Sequence, residues 1–182
     1  PSEVSVARDD VQGPLAAPTD LSVVVWDGAT GKSIKDGGAL LSALARTVRD
    51  GTPDTDHTAV GPTTATFAAG ASITVMDLVI MGSASKWIAT DANAVGTYAG
   101  MLAISLETKS DTQAMSVALP GSFVRDDTWN WTPGAVLYLS ETASQITATA
   151  PTTTDAAIRV IGFAVTADCI FFAPSADYTT HV

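Results

Sequence analysis

The chain has 182 residues, nine basic against nineteen acidic, and a formal charge of −10. That charge repels phosphate backbones and offers no grip on an anionic membrane, so nucleic acid and membrane are excluded as expected partners. A chain of this length buries roughly 70% of its unfolded surface, enough for a sizeable core. The hydrophobic share of 46% is rich in Ala and Val, and the polar share in Thr, Ser, Asp and Gly, a mixture that favours strands and turns over long helices. Cys169 is the single cysteine, so no internal disulfide and no cysteine-based zinc site is expected. No run reaches the ~18 apolar residues of a membrane helix, and PSEVSVARDD lacks the pattern of a secretory leader, so a soluble, unsecreted chain is expected.

Residues 1–20 carry Val4, Val6, Val11 and Leu15 as isolated apolar points among Asp, Gly and Pro. Such a segment cannot build a core and is expected to be an extended arm ordered on a partner, with those four side chains as its contacts. Leu21 to Trp26 reads as a strand, Asp27-Gly28 and Thr30-Gly31 supply turn residues, and Lys32-Ser33-Ile34 resumes, which predicts a hairpin. Gly31-Lys32-Ser33 superficially suggests a phosphate loop. That pattern needs a glycine where Trp26 stands, and an indole there keeps the backbone from wrapping a phosphate.

Between Gly38 and Asp50, Leu40, Leu41, Leu44, Ala45 and Val48 recur at spacings of three and four, and Gly51 with Pro53 stops the pattern. One short helix is expected here. Its stripe can dock on the chain's own β-domain or meet symmetry copies through Leu41, Leu44 and Val48. GTPDTDHTAVGP, residues 51–62, is a linker by composition. Its Asp54, Asp56 and His57 are of ligand type, but two carboxylates and one imidazole on one loop lack further fixed ligands. No metal and no other cofactor is expected, and stability should be indifferent to chelation.

From Thr63 the β signal is continuous: Ala65 to Phe67, the run SITVMDLVIM from Ser72 to Met81, Lys86 to Ile88 after a small-residue turn, Met101 to Leu106, and Gln113 to Leu119. Strands every 8 to 12 residues, about ten in all, argue for a barrel or sandwich. In Asp126-Asp127-Thr128-Trp129-Asn130-Trp131 the tryptophans share a face and could stack a sugar. Core or subunit-interface packing is the more natural role for them. The adjacent aspartates do not suit the facing carboxylates of a glycosidase.

The C-terminal stretch from Pro133 to Pro174 holds the clearest pattern. Pro133-Gly134 releases Ala135 to Leu139, Gln145 to Ala150 alternates, Ile158 to Val165 is apolar on both faces and predicts an inner strand packed on both sides, and Ile170-Phe171-Phe172 follows a turn at Asp168. This order, with its "LYLS", "ITATAP" and "IGFAVTADCIFFAP" segments, resembles the C-terminal β-domains of tailed-phage virion proteins: fibres, head fibres and capsid decoration proteins. The upstream VWDGATGKSIKDGG is similar to a segment that recurs in phage tail-fibre proteins. The resemblance implies a small trimerising β-barrel or sandwich on the virion.

No nucleophile elbow is present, and the histidines are His57 in the linker and His181 beside the last residue, so no catalytic residue is assigned and no enzymatic activity is expected. The expected organisation is all-β: an arm over residues 1–20, a hairpin, short helix and linker over 21–62, and a β-barrel or β-sandwich over 63–182. The expected role, implied by the resemblance, is a capsid decoration protein or head fibre held as a homotrimer on the major capsid protein, on the capsid exterior and made in the host cytoplasm. Trp129 and Trp131, with Phe171-Phe172, are expected to be exposed until they meet a subunit interface. A tail-fibre or tail-tip subunit is the alternative within that class. A carbohydrate-binding receptor module or depolymerase fragment, with a host-surface glycan as partner, is the alternative outside it.

Overall fold

The computed structural model describes residues 51–182 together with the short strands β1 (Val24–Trp26) and β2 (Ile34–Asp36). The chain divides into two compact units, Pro1–Arg49 and Asp50–Val182. In the first, β1 and β2 pair antiparallel with Val25 opposite Lys35, which is the hairpin that the turn residues predict. The expected helix with Leu41, Leu44 and Val48, and the arm with Val4, Val6, Val11 and Leu15, lie outside the described residues.

The second unit is all-β, and no helix occurs among its described residues. Its first six-stranded sheet has the order β12 (Ile146–Thr147), β11 (Val136–Leu139), β14 (Val160–Ala164), β15 (Cys169–Phe172), β10 (Ser122–Arg125), β3 (Thr58–Val60). The second runs β4 (Thr63–Thr64), β9 (Val117–Ala118), β8 (Leu102–Ser105), β6 (Leu78–Met81), β7 (Lys86–Ala89), β5 (Ala68–Ala69). A small third sheet pairs β13 (Ala157–Ile158) with β16 (Thr179–Thr180).

The second sheet curls back on itself. Ala68 bridges Ala114 and Ile73 bridges Lys109, so the β5 edge is tied to the segment that leads into β9. Backbone bonds from Ala69 N to Gln113 O (2.9 Å) and from Met115 N to Phe67 O (3.1 Å) complete the seam. Alternation then divides the side chains between two cores. Leu78, Ile80, Leu102, Ile104 and Ala118 meet Val124, Leu137, Leu139, Ile161, Ile170 and Phe172 of the first sheet. Val79, Trp87, Ala103, Met115 and Val117 point the other way, into the curled sheet's own interior with Ile73. Barrel and sandwich therefore share a sheet, and each buries one face of it.

Several strand expectations change in detail. The run Ser72–Met81 is broken: Asp77 accepts a bond from Thr74 N (2.8 Å), and its own N–H returns to Thr74 O (3.2 Å). That turn, with Met76 at φ 68°, leaves only Leu78–Met81 extended. Ile158 to Val165 is interrupted at Arg159, and its latter part is not packed on both sides, because Phe163 is 46% exposed. The strands buried on both faces are β6, β8 and the short β9, whose layers cover both sides. Gln145 to Ala150 shortens to Ile146–Thr147, and residues 51–62, expected to be a linker, carry the edge strand β3.

Arg159, 4% exposed, explains its own interruption. Its guanidinium donates to Ser175 O (2.9 Å), Gly100 O (2.9 Å) and Tyr98 O, tying two loops to the end of the sandwich. Burial pulls its pKa below the ordinary arginine value, while three of its five N–H donors are taken up by these carbonyls.

Gly162 marks the tightest approach between strands. At φ 155°, a Cβ there would stand 2.0 Å from Phe171 O, a backbone atom held by the β14–β15 ladder. Gly162→Ala is expected to destabilise the protein by about 3 kcal/mol or more. Urea denaturation checks this, and an unchanged midpoint would show that β14 can shift in register without cost.

Candidate functional site

Two features of the first sheet stand out, one apolar and one charged. On the outward face, register aligns Val136 with Phe163, Phe163 with Phe171, Phe171 with Phe123, and Phe123 with Val60. The result is an apolar row across five strands, with Phe123 and Phe171 rings 5.1 Å apart. None of these side chains is fully buried, whereas Phe172, one residue on, is fully buried in the inter-sheet core. The expectation that Phe171 and Phe172 are both exposed is thus corrected by strand alternation: only Phe171 faces out.

Trp129 and Trp131 follow β10 and lie half-buried against the main core, with ring centroids 5.9 Å apart at 53°. Their packing is intramolecular in this unit, and the Trp131 Nε1 is buried without a partner. A shallow polar cleft of about 200 Å³, lined by Ser140, Glu141, Thr142, Thr147 and Thr149, opens elsewhere. There Glu141 accepts from Thr152 N (2.7 Å) and Thr153 N (2.8 Å), and these N–H groups hold its pKa below the ordinary carboxylate value.

The charged feature sits where β3 begins and β10 ends. Arg125 pairs with Thr58, and the residues just beyond that last pair are Asp126 and His57. Asp56 Oδ1 accepts from His57 N (2.9 Å) and from Asp127 N (2.8 Å), which bonds the loop before β3 to the turn after β10. Asp126 Oδ1 accepts from Thr128 N (2.8 Å) and Thr128 Oγ1 (2.7 Å), and its backbone carbonyl accepts from Trp129 N (3.1 Å), a turn closed by the aspartate itself. His57 Nε2 stands 3.5 Å from Asp56 Oδ2 and 3.8 Å from Asp126 Oδ1.

The sequence reading grouped Asp54, Asp56 and His57. The structure keeps Asp56 and His57 together and brings in Asp126 instead of Asp54. Sixty-eight intervening residues hid that partner, and only the β3–β10 register reveals it, since β3 lies in a stretch that composition marks as a linker.

Arg125 is occupied beside this cluster, bonding Asp127 through Nε (2.6 Å) and Asp168 through Nη2 (2.6 Å). Asp168 also accepts from Thr166 Oγ1 (2.7 Å), and that bond, with the guanidinium beyond it, lowers its pKa. Cys169, the register partner of Arg125, is 1% exposed. Burial, reinforced by the Asp168 charge, pushes its thiol up to about 11.

No protein-family model matches the chain, and neither a curated protein nor a solved structure matches it. The geometry alone therefore carries the functional reading beyond the sequence resemblance.

The Cys169 thiol stays protonated around pH 8, because its pKa lies above the ordinary thiol value. Alkylation of the folded protein is expected to be slower than that of the unfolded chain by roughly a hundredfold or more, since thiolate fraction and access both fall. Maleimide labelling with and without denaturant measures the ratio, and equal rates would refute the buried placement.

Proposed function

We propose that this chain is a non-enzymatic structural protein of a tailed-phage virion, a capsid decoration protein or head fibre that sits as a homotrimer on the outer face of the major capsid shell. The observation that carries the assembly part is the outward row Val136, Phe163, Phe171, Phe123 and Val60. A contiguous apolar stripe on an otherwise acidic protein is costly in water and gains by being covered. A second copy of the chain supplies an equally apolar surface, and closed symmetry lets every copy cover its stripe. The phage resemblance of the segment that contains β14 and β15 supplies the class, and it includes Phe163 and Phe171 themselves.

Attachment falls in this reading to residues 1–20, through Val4, Val6, Val11 and Leu15. One extended arm binds weakly because its ordering costs conformational entropy, and three arms on one trimer raise the effective concentration enough for stable binding. Two separate cores within residues 50–182 support a globular part that folds without the arm. A tail-fibre or tail-tip subunit would use the same apolar face, and location on the virion separates the two: antibody or cryo-EM density on capsid faces supports decoration, and density at the tail refutes it.

The purified chain is expected to run as a trimer in light scattering at micromolar concentration. Phe163→Asp with Phe171→Asp should give a monomer with an unchanged circular dichroism spectrum. A monomeric parent protein sinks the assembly reading, and a folded but still trimeric variant moves the interface elsewhere.

Deletion of residues 1–20 should leave a soluble trimer that no longer binds undecorated heads. Near-full occupancy by the truncated protein would place the anchor in the globular part.

A further inference from the structure

We infer that Asp56, His57 and Asp126 form a binding site for a divalent transition-metal ion of the Zn²⁺ type, which staples the edge strand β3 to the end of β10. One ligand-type atom from each residue lies within 4.8 Å of the others. The spacing discriminates between a metal and a simple ion pair. A protonated imidazole bonded to carboxylates would draw them to about 2.7 to 2.9 Å. His57 Nε2 instead stands 3.5 Å from Asp56 and 3.8 Å from Asp126. Two ligands held 2.0 to 2.1 Å from one tetrahedral ion are about 3.3 Å apart, much nearer to the observed gap.

The donor set and its supports agree. Asp56 has one oxygen, Oδ1, engaged by two backbone N–H groups, which leaves the oxygen that faces the imidazole without a donor among the described residues. Asp126 is 6% exposed, and Thr128 N and Oγ1 bond the same Oδ1 that stands 3.8 Å from the imidazole, orienting the carboxylate, while its Oδ2 accepts no protein donor among the described residues. Outer bonds of this kind fix carboxylate orientation before an ion arrives.

Charge points the same way. With His57 neutral the pair of aspartates carries two negative charges, one of them nearly buried, and the neighbouring guanidinium of Arg125 is already committed to Asp127 and Asp168. A buried carboxylate without a counter-charge is costly, and a divalent ion neutralises both groups at once. Mixed imidazole and carboxylate ligands suit Zn²⁺, with water completing the sphere, better than the all-oxygen preference of Ca²⁺ or Mg²⁺.

The proposal departs from the expectation of no metal, and it does so through Asp126, which that expectation did not include. It is also independent of the virion assignment: a chain that binds Zn²⁺ here and never touches a capsid, or the reverse, separates the two.

The test is titration calorimetry of the EDTA-stripped full chain with Zn²⁺, alongside Co²⁺ absorption as a coordination signature. One ion per chain is expected, with affinity reduced at least about tenfold in Asp126→Asn and in His57→Ala and unchanged in Asp54→Asn. Asp56→Asn, at a half-exposed position, serves as a third ligand variant should either of the others fail to fold. Absence of binding at millimolar Zn²⁺, or equal binding by parent and folded ligand variants, overturns the site and leaves a loose contact between His57 and its two aspartates.

Discussion

The fold depends on burying one sheet on both of its faces. Strands β6 and β8 send Leu78, Ile80, Leu102 and Ile104 toward the first sheet and Val79 and Ala103 into the curled interior with Trp87. A one-residue slip in a sheet with one wet face turns its apolar side chains out to water, so one buried face already specifies the register. Here a slip by one residue would exchange two packed cores at once, so the register is held by both. The seam between β5 and the segment 109–115 follows from the same constraint, because an open edge would leave the Trp87 side uncovered.

The first sheet has the opposite character. Its inner face belongs to the shared core, while its outer face carries an apolar row that the unit itself does not cover. Stability comes from the inside, while the outer row stays partly exposed. Such a division fits the proposed assembly, in which the folded unit would stand before any partner arrives. Gly162 belongs to this arrangement: without a side chain, β14 lies against β15 closely enough to bring Phe163 beside Phe171.

At the β3 end of that sheet the chain concentrates carboxylates. Asp56, Asp126, Asp127 and Asp168 surround Arg125 and His57, and each aspartate is oriented by backbone or hydroxyl donors or by the guanidinium. The loop before β3 contributes little apolar surface, so polar contacts rather than hydrophobic burial keep the edge strand in place. An ion bridging Asp56, His57 and Asp126 would strengthen the point where packing is thinnest.

The sequence by itself determined what is local. Alternation and turn residues established the all-β class, the hairpin at β1 and β2, and the strands around Val136–Leu139 and Cys169–Phe172, because side-chain period and backbone preference act within a few residues. Burial on both faces was legible as a pattern but was assigned to Ile158–Val165, when it belongs to β6, β8 and β9. A run of apolar residues does not say whether the second layer exists. The turn at Thr74–Asp77 was missed because its strand-like neighbours conceal one aspartate hydrogen bond. The outward row of phenylalanines and the grouping of Asp56 and His57 with Asp126 were decided by tertiary structure alone. Both depend on which strands become neighbours, and pairing across tens of residues is settled by the closure of the whole sheet, which no window of sequence contains.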